Sequence, residues 1–114
     1  MALTDKEPWE IVPAASTGFV QRSVLASTTL GTIPQGATGA TINVEAAAGD
    51  LGGGRVLRYR MDGTAPTTTV GAIAGDGAQI NLINQSQLTN FKAISMTANT
   101  QILNVQFFYN TLTS

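Results

Sequence analysis

The chain lacks two residue types on which much enzyme chemistry depends. Its 114 residues contain no cysteine and no histidine. Without cysteine, a disulfide framework, a thiolate zinc site and a cysteine nucleophile are all excluded. Without histidine, the commonest general base and the commonest metal ligand are missing, and every Ser-His or Cys-His arrangement is excluded.

Charged residues are also scarce. Six residues are Lys or Arg and seven are Asp or Glu, so charged residues make up 11% of the chain, against about 25% in an average soluble domain. Thr, Ser, Asn and Gln take the place of the missing charges. A partner can cover such a surface without removing many ions from water, which favours a component of a packed assembly. A charge-poor monomer is the alternative that composition leaves open.

Long apolar runs are missing as well. No run approaches the ~18 consecutive apolar residues of a membrane span, and residues 1–7 have neither the basic nor the apolar region of a secretion signal. We therefore expect one domain of ordinary size that stays in the cytoplasm and has no membrane partner.

Few side chains remain as candidates for catalysis or metal binding. Lys6 lies near the amino terminus, and Lys92 lies in a predicted strand, where lysine usually points outward. Asp50, Asp62 and Asp76 each adjoin a glycine, and aspartate beside glycine in a turn usually caps its own backbone. These aspartates also lack the spacing of a calcium-binding loop. The sequence therefore predicts no catalytic residue, no cofactor and no metal ion.

The basic residues form one small cluster, Arg55, Arg58 and Arg60, around Tyr59. Strand alternation places Tyr59 on the face opposite Arg58 and Arg60, and the net charge of −1 opposes attraction to phosphates. We expect no nucleic-acid partner. The arginines are expected to pair with Glu45 or with carboxylates of a neighbouring chain.

Residues 1–18 are predicted to form an extended N-terminal arm, because Pro8 and Pro13 interrupt any regular element. Trp9 is expected to anchor this arm in a groove of its own domain or of a neighbouring subunit. Residues 19–114 are predicted to form the folded domain.

Alternation of apolar and polar residues predicts short strands throughout that domain. The clearest are residues 41–46 and 55–61, which the intervening glycines suggest are a hairpin with Glu45 opposite Arg58. Further strands are predicted at 19–27, 67–70, 72–74, 79–83, 91–98 and 101–109, with Asn99-Thr100 as the last connector and a helical turn or irregular corner at 88–90. The fold class is therefore all-β, a single small β-sandwich of the jelly-roll or immunoglobulin-like type.

One strand-turn motif carries a resemblance to known proteins. Residues 57–67 read Leu-Arg-Tyr-Arg-Met-Asp-Gly-Thr-Ala-Pro-Thr and resemble the strand-turn of fibronectin type III-like and chitobiase C-terminal sandwiches. The chain is also similar, over residues 40–110, to small structural proteins of tailed bacteriophages. The shared segments, in order, are Val44-Glu45, Arg58-Tyr59-Arg60, Asp62-Gly63-Thr64, Pro66-Thr67, Gly75-Asp76, residues 91–94 and Phe107-Phe108-Tyr109.

The resemblance implies a virion component without enzymatic activity, assembled in the host cytoplasm. The leading expectation is a capsid decoration or cement protein that contacts the major capsid protein and forms a symmetric homo-oligomer, preferably a trimer. Expected partner-binding residues lie in the arm, in the loops 31–39 and 49–54, and among the arginines: Trp9, Ile11, Pro34, Leu51, Arg58 and Arg60. The turn itself is expected to be structural, through Tyr59, Asp62, Gly63, Thr64 and Pro66.

Two alternatives remain open at this point. The first is a tail, neck or fibre-attachment component of a virion. The second is a carbohydrate-binding module, for which exposed aromatic side chains are needed. Of the seven aromatic residues, Trp9 and Phe108 are expected to be exposed.

Overall fold

Nearly all regular structure in this protein is β-strand. A computed structural model describes residues 11–112, with side chains described for residues 18–109. Its strands are β1 (Ile11–Val24), β2 (Thr28–Thr29), β3 (Gly39–Glu45), β4 (Leu57–Arg60), β5 (Ala72–Ala74), β6 (Gln79–Leu82), β7 (Lys92–Ser95) and β8 (Gln101–Leu112). A 3₁₀ turn at Ala48–Asp50 and a short helix, α1 (Gln85–Asn90), lie between strands.

The strands form two four-stranded antiparallel sheets with the topology of a jelly roll. One sheet has the order β1-β8-β3-β6 and the other has the order β2-β7-β4-β5. Strand pairs therefore run 1 with 8, 2 with 7, 3 with 6 and 4 with 5, as in a long hairpin rolled into two sheets. The predicted all-β sandwich is confirmed. The immunoglobulin-like alternative does not fit, because there the first strand lies beside the second.

The core lies between the two sheets and is built from alternate residues of their strands. Ile42 and Val44 of β3 and Leu103, Val105 and Phe107 of β8 are almost fully buried, and their sequence neighbours point outward. The second sheet contributes Leu57 and Ala93, and Phe91 precedes β7. Leu103, Val105 and Phe107 therefore share the inward face of β8. Tyr109, two residues further on, is 38% exposed, although Trp9 and Phe108 are the aromatic residues that the sequence predicts to be exposed.

The predicted hairpin between residues 41–46 and 55–61 is wrong. β3 pairs with β6 and β8, whereas β4 pairs with β5 and β7 in the other sheet. Glu45 therefore lies opposite Ile102, not opposite Arg58. The glycine-rich segment between these strands crosses from one sheet to the other, and alternation along a strand specifies its faces but not its partner.

The first strand begins at Ile11, eight residues before the predicted start at Phe19. Residues 11–18, which the sequence placed in the arm, pair with β8, and the register shifts between Val12 and Ala15 and again between Ser16 and Gly18. These shifts, around Pro13, break the alternation that marks a strand. Proline is tolerated at this place because β1 is an edge strand.

Smaller differences occur in the segments before β5 and before β8. Residues 96–100 connect the two sheets, so β7 and β8 are not joined by a two-residue turn. The predicted strand at 67–70 is a turn, in which the Thr67 hydroxyl accepts hydrogen bonds from the amides of Thr69 and Val70. The helical turn predicted near Leu88 is α1, which Asn84 caps by accepting a hydrogen bond from Gln87 N at 2.8 Å.

Candidate binding surfaces

The Asp62-Gly63 turn follows β4 and is held by hydrogen bonds of its own side chains and backbone. The Asp62 carboxylate accepts a hydrogen bond from the Thr64 amide at 3.1 Å, and Gly63 has a φ of 84°, which favours glycine. Arg60 forms an ion pair with Asp62. The pKa of Asp62 is lowered, first by the hydrogen bond from Arg60 and then by the Thr64 amide. The Gly63 amide also donates to the backbone oxygen of Asn90 at 3.2 Å, which links the turn to the end of α1.

Two further residues of this motif fix the turn to the core. Tyr59 packs against Phe91, with their ring centroids 5.7 Å apart, and Pro66 is buried. Tyr59 thus contacts the core from β4 while remaining half-buried.

Arg58 and Arg60, predicted to contact a partner, both bind groups of their own chain. Arg58 donates to the backbone oxygens of Thr68 at 3.2 Å and Gly71 at 2.6 Å, which closes the loop before β5. Arg60 is engaged by Asp62. Pairing of Arg58 with Glu45 is wrong, because the two lie in different sheets.

Sequence reasoning missed a buried polar network at one end of the sandwich. The carboxamide of Gln101 is fully buried, and its Nε2 donates to Asp50 Oδ2 at 2.7 Å and to Thr97 Oγ1 at 3.1 Å. Its Oε1 accepts from the Ala47 amide at 2.7 Å. The pKa of Asp50 is lowered, mainly by the hydrogen bonds from Gln101 and Thr97. This network ties the 3₁₀ turn to the loop before β8.

Asp76 links two segments of backbone. Its carboxylate accepts from the amides of Ala46 at 3.0 Å and Gly52 at 3.1 Å, and these bonds lower its pKa. Each predicted turn aspartate therefore has hydrogen-bond partners of its own. Among residues 18–109, no group of three His, Cys, Asp or Glu residues could hold a metal ion.

The first and last strands continue past the rest of their sheet as a two-stranded extension. β3 ends its pairing with β8 at Gly39 opposite Phe108, whereas β1 pairs with β8 as far as Ile11 opposite Leu112. We call residues 11–15 and 109–112 the terminal ribbon. No charged residue occurs in it. Up to Phe108, β8 lies between β1 and β3. At residues 109–112, β8 has β1 on one side, and no strand of the described chain lies on the other side.

The other predicted partner-binding residues are distributed along the chain. Leu51 is 69% exposed in the loop after the 3₁₀ turn, and Pro34 is half-buried beside Gly18 of β1. The backbone of Ile11 pairs with Leu112 in the terminal ribbon. Trp9 lies outside the described residues.

Carboxamides from all four strands form one row on the outer face of the β1-β8-β3-β6 sheet. Gln21 lies opposite Asn104, Asn104 opposite Asn43, and Asn43 opposite Gln79. Gln21 Nε2 donates to Asn104 Oδ1 at 2.7 Å, and Asn104 Nδ2 donates to Glu45 Oε1 at 3.1 Å. Asn43 and Gln79 are exposed, and no side-chain hydrogen bond joins them to another residue of the described chain.

A second row lies beside the first, two residues along each strand. It consists of Phe19, Gln106, Thr41 and Asn81, again one from each strand. Thr41 Oγ1 donates to Asn81 Oδ1 at 3.4 Å, and Gln106 Nε2 donates to the backbone oxygen of Gly18 at 2.9 Å. We call these two rows the amide face. No charged residue occurs in either row.

One aromatic residue, Phe19, belongs to the amide face, and another, Phe108, lies beside it. Phe19 is 56% exposed, contrary to the expectation that it points inward. Phe108 is half-buried rather than exposed, because its ring lies across Gly39, where a Cβ atom would come within 2.8 Å of Cε1 and Cζ. Its position two residues from Gln106 places it on the same side of the sheet. The exposure of Phe19 depends on the face of the sheet on which its strand places it, which the sequence does not reveal.

Comparison with known proteins gives no assignment. No family model, no curated protein and no solved structure matches the chain. In the described part of the chain, no helix is long and apolar enough to cross a membrane.

Proposed function

We propose that this protein is a non-enzymatic structural component of a bacteriophage virion. Its leading role is that of a decoration or cement protein that stabilises the shell by contacting the major capsid protein and other copies of itself. The sequence resemblance over residues 40–110 motivates this proposal. The jelly-roll topology is compatible with this proposal by analogy, because jelly rolls occur in viral capsid domains as well as in lectin domains.

The terminal ribbon is the observation that carries the proposal. A two-stranded ribbon alone is at best marginally stable in water, and a neighbouring chain would add the missing pairing. The β1 edge is interrupted by Pro13 and by two register shifts. The first of these shifts lies opposite residues 109–111, but its extra residue is in β1, and residues 109–112 of β8 contain no proline and no lysine. Proline, bulges and charges are the devices that protect sheet edges, so the β8 edge is the unprotected one.

Addition of a strand from another chain to this edge would use backbone hydrogen bonds and uncharged side chains. The exposed Leu51 and Tyr109 offer further apolar contacts. We therefore propose that copies of the chain, or the chain and the shell protein, join through the β8 edge of the terminal ribbon.

The test is to place a charge on this edge and measure the mass of the protein in solution. Thr111→Lys is expected to convert an oligomer into a monomer in size-exclusion chromatography with light scattering. Thr100→Lys, in an exposed loop, is the matched control and is expected to leave the oligomer unchanged. A wild-type protein that stays monomeric and does not bind purified shells would contradict the proposal.

A tail, neck or fibre-attachment component is the second candidate, since the same edge would serve it. The number of copies per purified particle separates the two roles. A decoration protein is expected at hundreds of copies, whereas a tail or neck component is expected at about six to a few dozen because of its lower symmetry. Quantitative mass spectrometry of purified particles gives this number.

A further inference from the structure

We infer that the amide face is a binding site for a neutral polysaccharide. This inference goes beyond the proposed function, because it concerns a different surface from the terminal ribbon and does not depend on assembly. It rests on the residues that the fold brings together on the outer face of one sheet.

Asparagine in the middle of strands is the first observation. Asn43, Asn81 and Asn104 lie on three adjacent strands, although asparagine is depleted in β-strands. The inward positions of the same strands carry residues typical of strands, such as Ile42 and Val105. A face that only contacts water does not require asparagine, because threonine or lysine is also polar and is better tolerated in a β-strand.

The second observation is the alignment of these side chains. The row Gln21, Asn104, Asn43 and Gln79 spans four strands, or roughly 14 Å at about 4.8 Å per strand. The hydrogen bonds from Gln21 to Asn104 and from Asn104 to Glu45 orient one half of the row. Asn43 and Gln79, which form the other half, are exposed and make no side-chain hydrogen bond within the described chain.

The hydrogen-bonding groups of the row indicate which kind of ligand it can bind. A carboxamide offers two N–H donors and an oxygen acceptor, and a sugar hydroxyl both donates and accepts. The amide face carries no charge in its two rows, and Glu45 at its margin would repel an anionic chain. Exposed Phe19 lies in the second row and offers an apolar ring against which a sugar can pack. A neutral glycan fits this surface better than a nucleic acid or an acidic glycan.

The experiment measures retardation of the purified full-length protein in native gels that contain neutral polysaccharides, such as dextran, laminarin, mannan or soluble starch. Heparin and alginate serve as anionic comparisons. At least one neutral polymer is expected to retard the protein, to the same degree at low and at high salt, and the anionic polymers are not. Retardation by the anionic polymers alone, or by none of those tested, would overturn the inference.

Variants then assign the binding to the amide face. The pair Asn43→Thr and Gln79→Thr removes the free carboxamides, keeps residues suited to strands, and is expected to weaken binding about tenfold. Phe19→Ala is expected to weaken it by a similar factor. The matched control pair, Gln35→Thr and Gln85→Thr, removes exposed carboxamides elsewhere and is expected to change nothing.

Equal binding by all variants would overturn the inference. A second copy of the chain is the competing occupant of this face. If the Asn43→Thr and Gln79→Thr pair lowers the oligomer mass and no polysaccharide binds, the face is a contact between copies and the inference is wrong. The Thr111→Lys variant is expected to retain polysaccharide binding, so that failure of this inference and failure of the proposed function can be distinguished.

Discussion

At the scale of single residues, the buried carboxamide of Gln101 is the polar group on which most depends. It is fully buried, and it satisfies both the Ala47 amide and the Asp50 carboxylate. Gln101→Ala would leave the Ala47 amide without this acceptor and would remove one donor from Asp50, which Thr97 still bonds. Loss of a buried hydrogen-bonding side chain costs about 1–3 kcal/mol, and we expect the free energy of unfolding, measured with urea, to fall by about that amount.

The matched control is Gln85→Ala, which removes an exposed carboxamide at the start of α1. It is expected to change the free energy of unfolding by less than about 0.5 kcal/mol. Equal effects of the two substitutions would show that the network contributes nothing particular to stability.

The turn aspartates make stability depend on pH. Asp50, Asp62 and Asp76 each have a folded-state pKa below the ordinary value, because hydrogen bonds favour the charged carboxylate. The unfolded chain therefore binds more protons than the folded chain in this range, so stability is lost as pH falls from about 4 through the folded pKa values. We expect Asp76→Asn to lower stability at neutral pH and to flatten this acid dependence.

Urea unfolding of both proteins between neutral pH and about pH 2.5 measures the effect. The two curves are expected to converge at low pH, where the wild-type carboxylate is protonated. Parallel curves, with the same difference at every pH, would contradict the role given to Asp76.

At the scale of elements, the pairing of the strands could not be predicted from the sequence. The alternation of apolar and polar residues along 41–46 and 101–107 coincides with the buried and outer faces of these strands, because each strand is polar on one face. The partner of each strand is a non-local property, and glycines beside a strand are equally suited to a hairpin and to a crossing between sheets. The amide face could not be predicted for the same reason, because its two rows form only when four strands are paired in the observed register.

An engineered disulfide tests this pairing directly, because the chain has no cysteine of its own. Thr41→Cys with Asn81→Cys joins directly opposite residues of β3 and β6 and is expected to oxidise to an intramolecular disulfide. Glu45→Cys with Arg58→Cys follows the hairpin register that the structure rejects and is expected to remain reduced. Free-thiol labelling distinguishes the two, and the reverse pattern would contradict the jelly-roll topology.

At the scale of the whole molecule, the scarcity of charge should govern how the protein associates. The terminal ribbon and the amide face are both uncharged, and the ion pair between Arg60 and Asp62 is internal. Contacts of this kind are insensitive to screening by salt. If copies of the chain associate as proposed, the mass of the proposed oligomer is expected to stay constant between about 0.05 and 1 M NaCl by light scattering. Dissociation at high salt would mean that charged groups join the subunits.

The pairing of the first strand with the last also brings residues that are far apart in sequence close together. Ile11 and Leu112 are direct neighbours at the tip of the terminal ribbon. A short peptide that joins residue 112 directly to residue 11 would therefore close the described part of the chain into a circle, with new ends cut in the exposed loop between β4 and β5.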